Sequence, residues 1–124
     1  LELIKSPHKP KLNALHLDCC FQPVSDNKAV ICKEAFKNPF ELNYLISLYG
    51  KNNIFEISLE EMSKLYSNFL SIEKNIVISE KRFTRLNKWL RSLGIKVEEI
   101  NYSEVAKLGG LFRCTTLPLF RKKN

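Results

Sequence analysis

One order of elements (strand, strand, helix, strand) is written twice along this chain, and that repetition constrains its fold more than any other feature. Ala29-Val30-Ile31-Cys32 and Ile76-Val77-Ile78-Ser79 are short, β-branched apolar runs, the signature of buried strands. Each is preceded by a second extended segment, residues 15–24 and 68–72. The turns Ser25-Asp26-Asn27-Lys28 and Glu73-Lys74-Asn75 close the two hairpins. Each is followed by a helix. Asn38-Pro39 opens the first, with Asn as N-cap and Pro at the first helical position; Phe40, Tyr44, Leu45 and Leu48 form its apolar stripe, and Gly50 stops it. The second is expected over residues 81–93, with Phe83, Leu86, Leu90 and Leu93 on one face and Gly94 as its stop. Strands at 54–57 and 95–100 complete the units. Ser58 with Glu61 makes a capping box for a short helix reaching about Tyr66, and Ser103 caps another. Ile31 and Ile78 stand 47 positions apart and Gly50 and Gly94 stand 44 apart, a period of stacked or circularly arranged supersecondary units. The expected fold class is therefore α+β, with about two ββαβ units and a final extended stretch over residues 111–120.

The 124 residues make one domain, and 44% hydrophobic content supplies a core rather than a disordered chain. No apolar run reaches the roughly 18 residues of a membrane helix. Leu1-Glu2-Leu3-Ile4-Lys5 does not read as a signal peptide. Twenty Lys and Arg against thirteen Asp and Glu give a net charge of +7. These bases are interleaved with acids, and their clusters, Lys81 through Arg91 and Arg121-Lys122-Lys123, read as a solvated helix face and a tail. No aromatic-basic motif points to nucleic acid. Cys19, Cys20, Cys32 and Cys114 form no CxxC pair and have no zinc-type spacing with His8 or His16. The reading is a reducing, cytoplasmic setting with no metal or cofactor, in which Cys20 and Cys32 are small core residues.

Two separated segments carry chemistry. His16 and Asp18 lie two residues apart, on one face of the expected strand over residues 15–24. Far downstream, Gly109-Gly110-Leu111-Phe112-Arg113-Cys114-Thr115 places a cysteine just after a glycine pair. A histidine and a cysteine held in distant local motifs are how a thiol enzyme stores its base and its nucleophile.

The segments His16-Leu17-Asp18-Cys19-Cys20-Phe21-Gln22-Pro23 and Gly109-Gly110-Leu111-Phe112-Arg113-Cys114-Thr115-Thr116-Leu117-Pro118-Leu119 resemble the guanidino-group-modifying enzymes. This superfamily includes dimethylarginine dimethylaminohydrolase, arginine deiminase and glycine amidinotransferase. The resemblance implies a pentein fold, a propeller-like ring of five ββαβ units around a central site. It implies Cys114 as nucleophile, His16 as general acid and base, and Asp18 as the carboxylate that holds a substrate guanidinium. The expected reaction is hydrolysis of arginine or a methylated arginine through an S-alkylthiouronium intermediate, giving citrulline or a similar ureido product. Amidinotransfer to an amine acceptor and a non-catalytic binding module are the alternatives, and the H-L-D form is nearer to deiminases and amidinotransferases. Arg113 reads either as a contact for a substrate carboxylate or as a structural salt bridge. Cys19 and Asn68 read as structural, with Asn68 at the rim of the site. A complete ring needs far more chain, and in the family the acid that orients the histidine lies upstream of H-L-D. The chain over residues 1–124 therefore reads as the C-terminal part of such a domain, its partners a small guanidino substrate and a missing N-terminal segment or partner chain.

Overall fold

The structure, a computed structural model, describes residues 1–120; the basic tail Arg121-Lys122-Lys123 lies outside the described residues. The repeat is present as two three-stranded sheets. In the first, β1 (Phe21–Val24) pairs antiparallel with β2 (Lys28–Ile31), which pairs parallel with β3 (Ile54–Glu56). In the second, β4 (Leu70–Glu73), β5 (Ile76–Glu80) and β6 (Lys96–Ile100) repeat the same order and the same sense. A parallel neighbour demands a crossover connection. A helix, here called α2 (Pro39–Tyr49), supplies it in the first unit, and α4 (Thr84–Ser92) supplies it in the second. The central strands are the most buried: Ala29, Val30, Ile31 and Val77 are fully covered. Pro23, which has no amide hydrogen, sits on β1, whose other edge is open in this sheet. The fold is thus the α+β, twice-repeated ββαβ architecture expected from the sequence.

Local chemistry explains the boundaries. Asn38 accepts a hydrogen bond from the Phe40 amide, and Gly50 ends α2 at φ 79°. Ser58 and Glu61 form the full reciprocal capping box of α3 (Leu59–Ser63). That helix stops three residues short of Tyr66, because Leu65 turns into the left-handed region at φ 68°. Gly94 follows α4 at φ 76°. Asn101, not Ser103, organises the start of α5 (Ser103–Ala106), its side-chain oxygen accepting from the Ser103 amide and hydroxyl.

Three expectations fail in instructive ways. The segment 15–24 is not one strand: α1 (Leu17–Cys20) is a single helical turn after His16, and the strand begins only at Phe21. Its apolar content does not mark a buried strand, since Leu15 and Leu17 are exposed rather than on a core face. The expected stripe of α2 also faces outward at Phe40, Tyr44 and Leu48, and only Leu45 of that set is buried. This helix is apolar on two opposite sides, and Leu42, Leu45, Ile46 and Tyr49 form the inward one, with Tyr49 edge-on to Phe21 at 5.6 Å. Periodicity alone cannot choose between two such stripes. The third failure is residues 111–120, where α6 (Phe112–Thr115) is another helical turn. By contrast α4 buries Leu86 and Leu90, with Phe83 just before it, as its spacing predicts.

One core joins the two units. Trp89 of α4 packs on Phe55 of β3 at 5.0 Å, and Tyr66 packs on Phe83 at 4.2 Å. Arg85 lies over the Phe55 ring and holds Glu61 with two hydrogen bonds of 2.9 and 2.5 Å. The Ser67 hydroxyl donates to the Cys19 carbonyl at 2.6 Å, stitching the start of the second unit to α1. No helix among the described residues is long and apolar enough to cross a membrane.

Candidate active site

The chemical residues occupy equivalent places in successive units. His16 and Asp18 lie in the turn just before β1, and Asn68 lies in the turn just before β4. Arg113 and Cys114 lie in the turn that follows α5, as the Asn68 turn follows α3. Each turn is short because it must reverse the chain between a helix and the unit that comes next. Stacking the units brings the three turns to one end of the sheets.

The contacts show that convergence. Asp18 Oδ2 lies 3.6 Å from Arg113 Nε, and Asp18 Oδ1 lies 3.9 Å from His16 Nδ1. Both distances exceed a hydrogen bond, so these are loose contacts that a ligand can part. His16, Asp18, Gln22 and Arg113 line one open cleft of about 660 Å³. A neighbouring hollow of about 860 Å³ shares His16 and is walled by Leu1–Lys5, Ala14 and Lys37. The His16 side chain is 78% exposed and the Asp18 carboxylate 44% exposed, so both are open to a ligand. Gln22 forms part of the cleft wall; it is buried, its side-chain nitrogen donates to the Pro23 carbonyl, and its oxygen has no partner among the described residues.

Cys114 is exposed, and the turn that presents it is firmly anchored. Leu111 and Phe112 are buried, Phe112 stacks on Tyr102 at 4.7 Å and 7°, and Thr115 Oγ1 donates to the Leu111 carbonyl at 2.9 Å. Tyr102 is itself tied to the fully buried Glu80 carboxylate, which also takes the Arg82 side chain. Gly110 is required by sterics: a Cβ there would stand 2.6 Å from Cys114 Cβ and 3.1 Å from its sulfur. Asn68 then closes the site from the second unit. Its side-chain oxygen accepts from the Arg113 amide at 2.8 Å, and its side-chain nitrogen donates to the Cys114 sulfur at 3.0 Å. Among the described residues no hydrogen bond joins that sulfur to His16; its partner is Asn68. The sequence placed Asn68 only at the rim. Nothing in its local pattern marks it, and the one available signal was its position before β4, matching that of His16 before β1.

The remaining thiols differ. Cys20 and Cys32 are fully buried. Burial, helped by the neighbouring Cys32, pushes the Cys20 thiol up to about 12, and burial pushes Cys32 up to about 11, so both are inert packing residues. Cys19 is half-buried and offers a ligand atom within 4.8 Å of those of His16 and Asp18. Three donors of this kind leave a zinc site one ligand short of closure, and they are the same groups the cleft uses.

Comparison with known proteins identifies the family and the fold. A family model described as eukaryotic N,N-dimethylarginine dimethylhydrolase matches residues 2–121. The uncharacterised protein YkgA of Bacillus subtilis is 37% identical over 107 residues, covering 86% of this chain and 36% of that protein. The chain spans little more than a third of the length of the curated relatives it matches. ArgZ, a cyanobacterial arginine dihydrolase of the ornithine-ammonia cycle, superposes with a TM-score of 0.67 at 23% identity, over 77% of this chain and 15% of its own. SxtG, an amidinotransferase of Microseira wollei from saxitoxin biosynthesis, superposes with a TM-score of 0.69 at 22% identity, over 90% of this chain and 34% of its own. The fold is that of the guanidino-modifying penteins.

Proposed function

We propose that this chain, which belongs to the dimethylarginine dimethylhydrolase family, carries the nucleophile, the acid/base and a cation-holding carboxylate of a thiol hydrolase acting on guanidino compounds. The observation that carries this reading is the meeting of Asp18 with Arg113, because it sets the exposed Cys114 turn beside the cleft that holds His16.

A guanidinium carbon is a weak electrophile, since its charge is spread over three nitrogens. A thiolate attacks it where a neutral hydroxyl would be slow. The Cys114 sulfur bonds to the central carbon and gives a tetrahedral adduct. His16 donates a proton to the departing nitrogen, which leaves as ammonia or a methylamine. The carbon remains bound to sulfur as an S-alkylthiouronium. Water then gives a proton to His16 and attacks the same carbon, the C–S bond breaks, and a ureido product such as citrulline departs while Cys114 is regenerated. Asp18 holds the planar cation through charge-assisted hydrogen bonds. At present its carboxylate faces the Arg113 guanidinium at 3.6 Å, a group of the same chemistry as the substrate. Arginine or a methylated arginine is the substrate class, with the orienting acid and the rest of the pocket supplied by protein outside these residues.

The likeness to SxtG supports amidinotransfer as the second reading. It shares the first half-reaction and replaces water with an amine. The test is product analysis of the full-length protein given arginine or dimethylarginine, with and without glycine. Citrulline that vanishes in Cys114→Ser supports the hydrolase, and a new guanidino compound formed only with the amine supports transfer. Unchanged citrulline release by Cys114→Ser rejects both.

A further inference from the structure

We propose that Asn68 is a catalytic residue that holds the sulfur of Cys114 as a thiolate. The inference rests on the reading of Cys114 as the nucleophile and assigns that thiol its charge-stabilising partner. The Arg113 amide hydrogen is an obligatory donor and points at Asn68 Oδ1 at 2.8 Å. The oxygen of Asn68 is therefore committed to the backbone, and its Nδ2 must face the other way. There it meets the Cys114 sulfur at 3.0 Å, across 46 residues of sequence. Asn68 thus presents an N–H donor and nothing else to the nucleophile.

A thiol sulfur is a weak acceptor and a thiolate a strong one, so a fixed donor favours the charged form that attacks. The same donor aims the sulfur, because the Arg113 amide and the Cys114 side chain hang from one carboxamide. Asn68 is held in its turn: its own amide donates to the Leu65 carbonyl at 2.9 Å, beside the left-handed Leu65. A bulky residue in that region is unfavourable, and such backbone concentrates at functional turns. The second unit thereby contributes to a site whose other groups come from the first unit and from the Cys114 turn.

Asn68→Asp is the decisive variant. It keeps the oxygen that accepts from the Arg113 amide and replaces only the donor facing sulfur, with a negative oxygen. The measurement is alkylation of Cys114 by iodoacetamide at neutral pH in the full-length protein, located by peptide mass, alongside circular dichroism. Iodoacetamide is neutral and small, so guanidine recognition does not enter. Asn68→Asp is expected to melt like wild type and to alkylate at least about tenfold more slowly, with a matching loss of ultraviolet thiolate absorbance. Should that variant lose its fold, Asn68→Ala takes its place with the same expectation. Alkylation of the folded variant at the wild-type rate overturns the inference. The two proposals fail separately: a protein that makes no ureido or amidino product, yet loses thiol reactivity in Asn68→Asp, refutes the proposed reaction and keeps this one.

Discussion

Asp18 and Arg113, 95 positions apart in sequence, face each other at 3.6 Å across the cleft that also holds His16. This contact joins the early and late motifs of the chain. It also places a carboxylate and a guanidinium together, so a guanidino ligand that binds Asp18 must displace or share with Arg113.

Asp18→Asn should therefore separate function from stability. A half-exposed ion pair contributes about 0–1 kcal/mol to folding, so the melting temperature should move by only a few degrees. If Asp18 holds the cation as proposed, loss of its charge should weaken arginine binding by Cys114→Ser protein at least about tenfold, read by calorimetry, because hydrogen bonds to charged groups contribute about 1.5–3 kcal/mol. Equal affinity with and without the Asp18 charge would remove Asp18 from the site.

The two glycines before Cys114 should respond differently to alanine. Gly109 has φ 88° and open space around it, so Gly109→Ala costs about 1–2 kcal/mol through backbone strain alone. Gly110→Ala drives a methyl into the Cys114 side chain, an overpacking cost of about 1–3 kcal/mol that also displaces the sulfur. Denaturant titration should show both variants destabilised. Only Gly110→Ala should slow alkylation of Cys114.

Acid stability should depend on Glu61. Partial burial pushes its carboxyl up, but the hydrogen bonds from Arg85 and the Ser58 amide, together with the charge of Arg85, outweigh this and hold it below its ordinary value. A carboxyl lowered on folding stabilises the protein above its unfolded value of about 4.3, and that contribution is lost as pH falls through the lower folded value. Glu61→Gln keeps a residue able to complete the capping box but removes the charge. Its stability deficit should be constant above about pH 5 and should vanish in stronger acid. A deficit that persists unchanged at low pH would show that the ion pair with Arg85 is not its source.

The helices test the two apolar patterns against each other. Leu90 of α4 is fully buried, and Leu90→Ala should cost about 2–5 kcal/mol. Phe40 of α2 is 82% exposed, and Phe40→Ser should change stability by no more than about 0.5 kcal/mol. Urea unfolding of both variants decides the matter; a large loss in Phe40→Ser would mean that its face is covered.

Local signals settled those elements whose chemistry is complete within a few residues. The Asn38-Pro39 start of α2, the Ser58–Glu61 capping box, the glycine stops and the single apolar face of α4 are legible because backbone sterics and nearest-neighbour hydrogen bonds act within one or two helical turns. The doubled element order is legible for the same reason, and with it the ββαβ architecture. Tertiary packing decided the rest. It chose which of two apolar sides of α2 turned inward, and it folded His16–Cys20 and Phe112–Thr115 into turns where apolar content suggested strands. It also gave Asn68 its contact with the Cys114 sulfur and Asp18 its contact with Arg113. These pairings join groups 46 and 95 positions apart, and only the stacking of one unit on the next brings such distant side chains within reach.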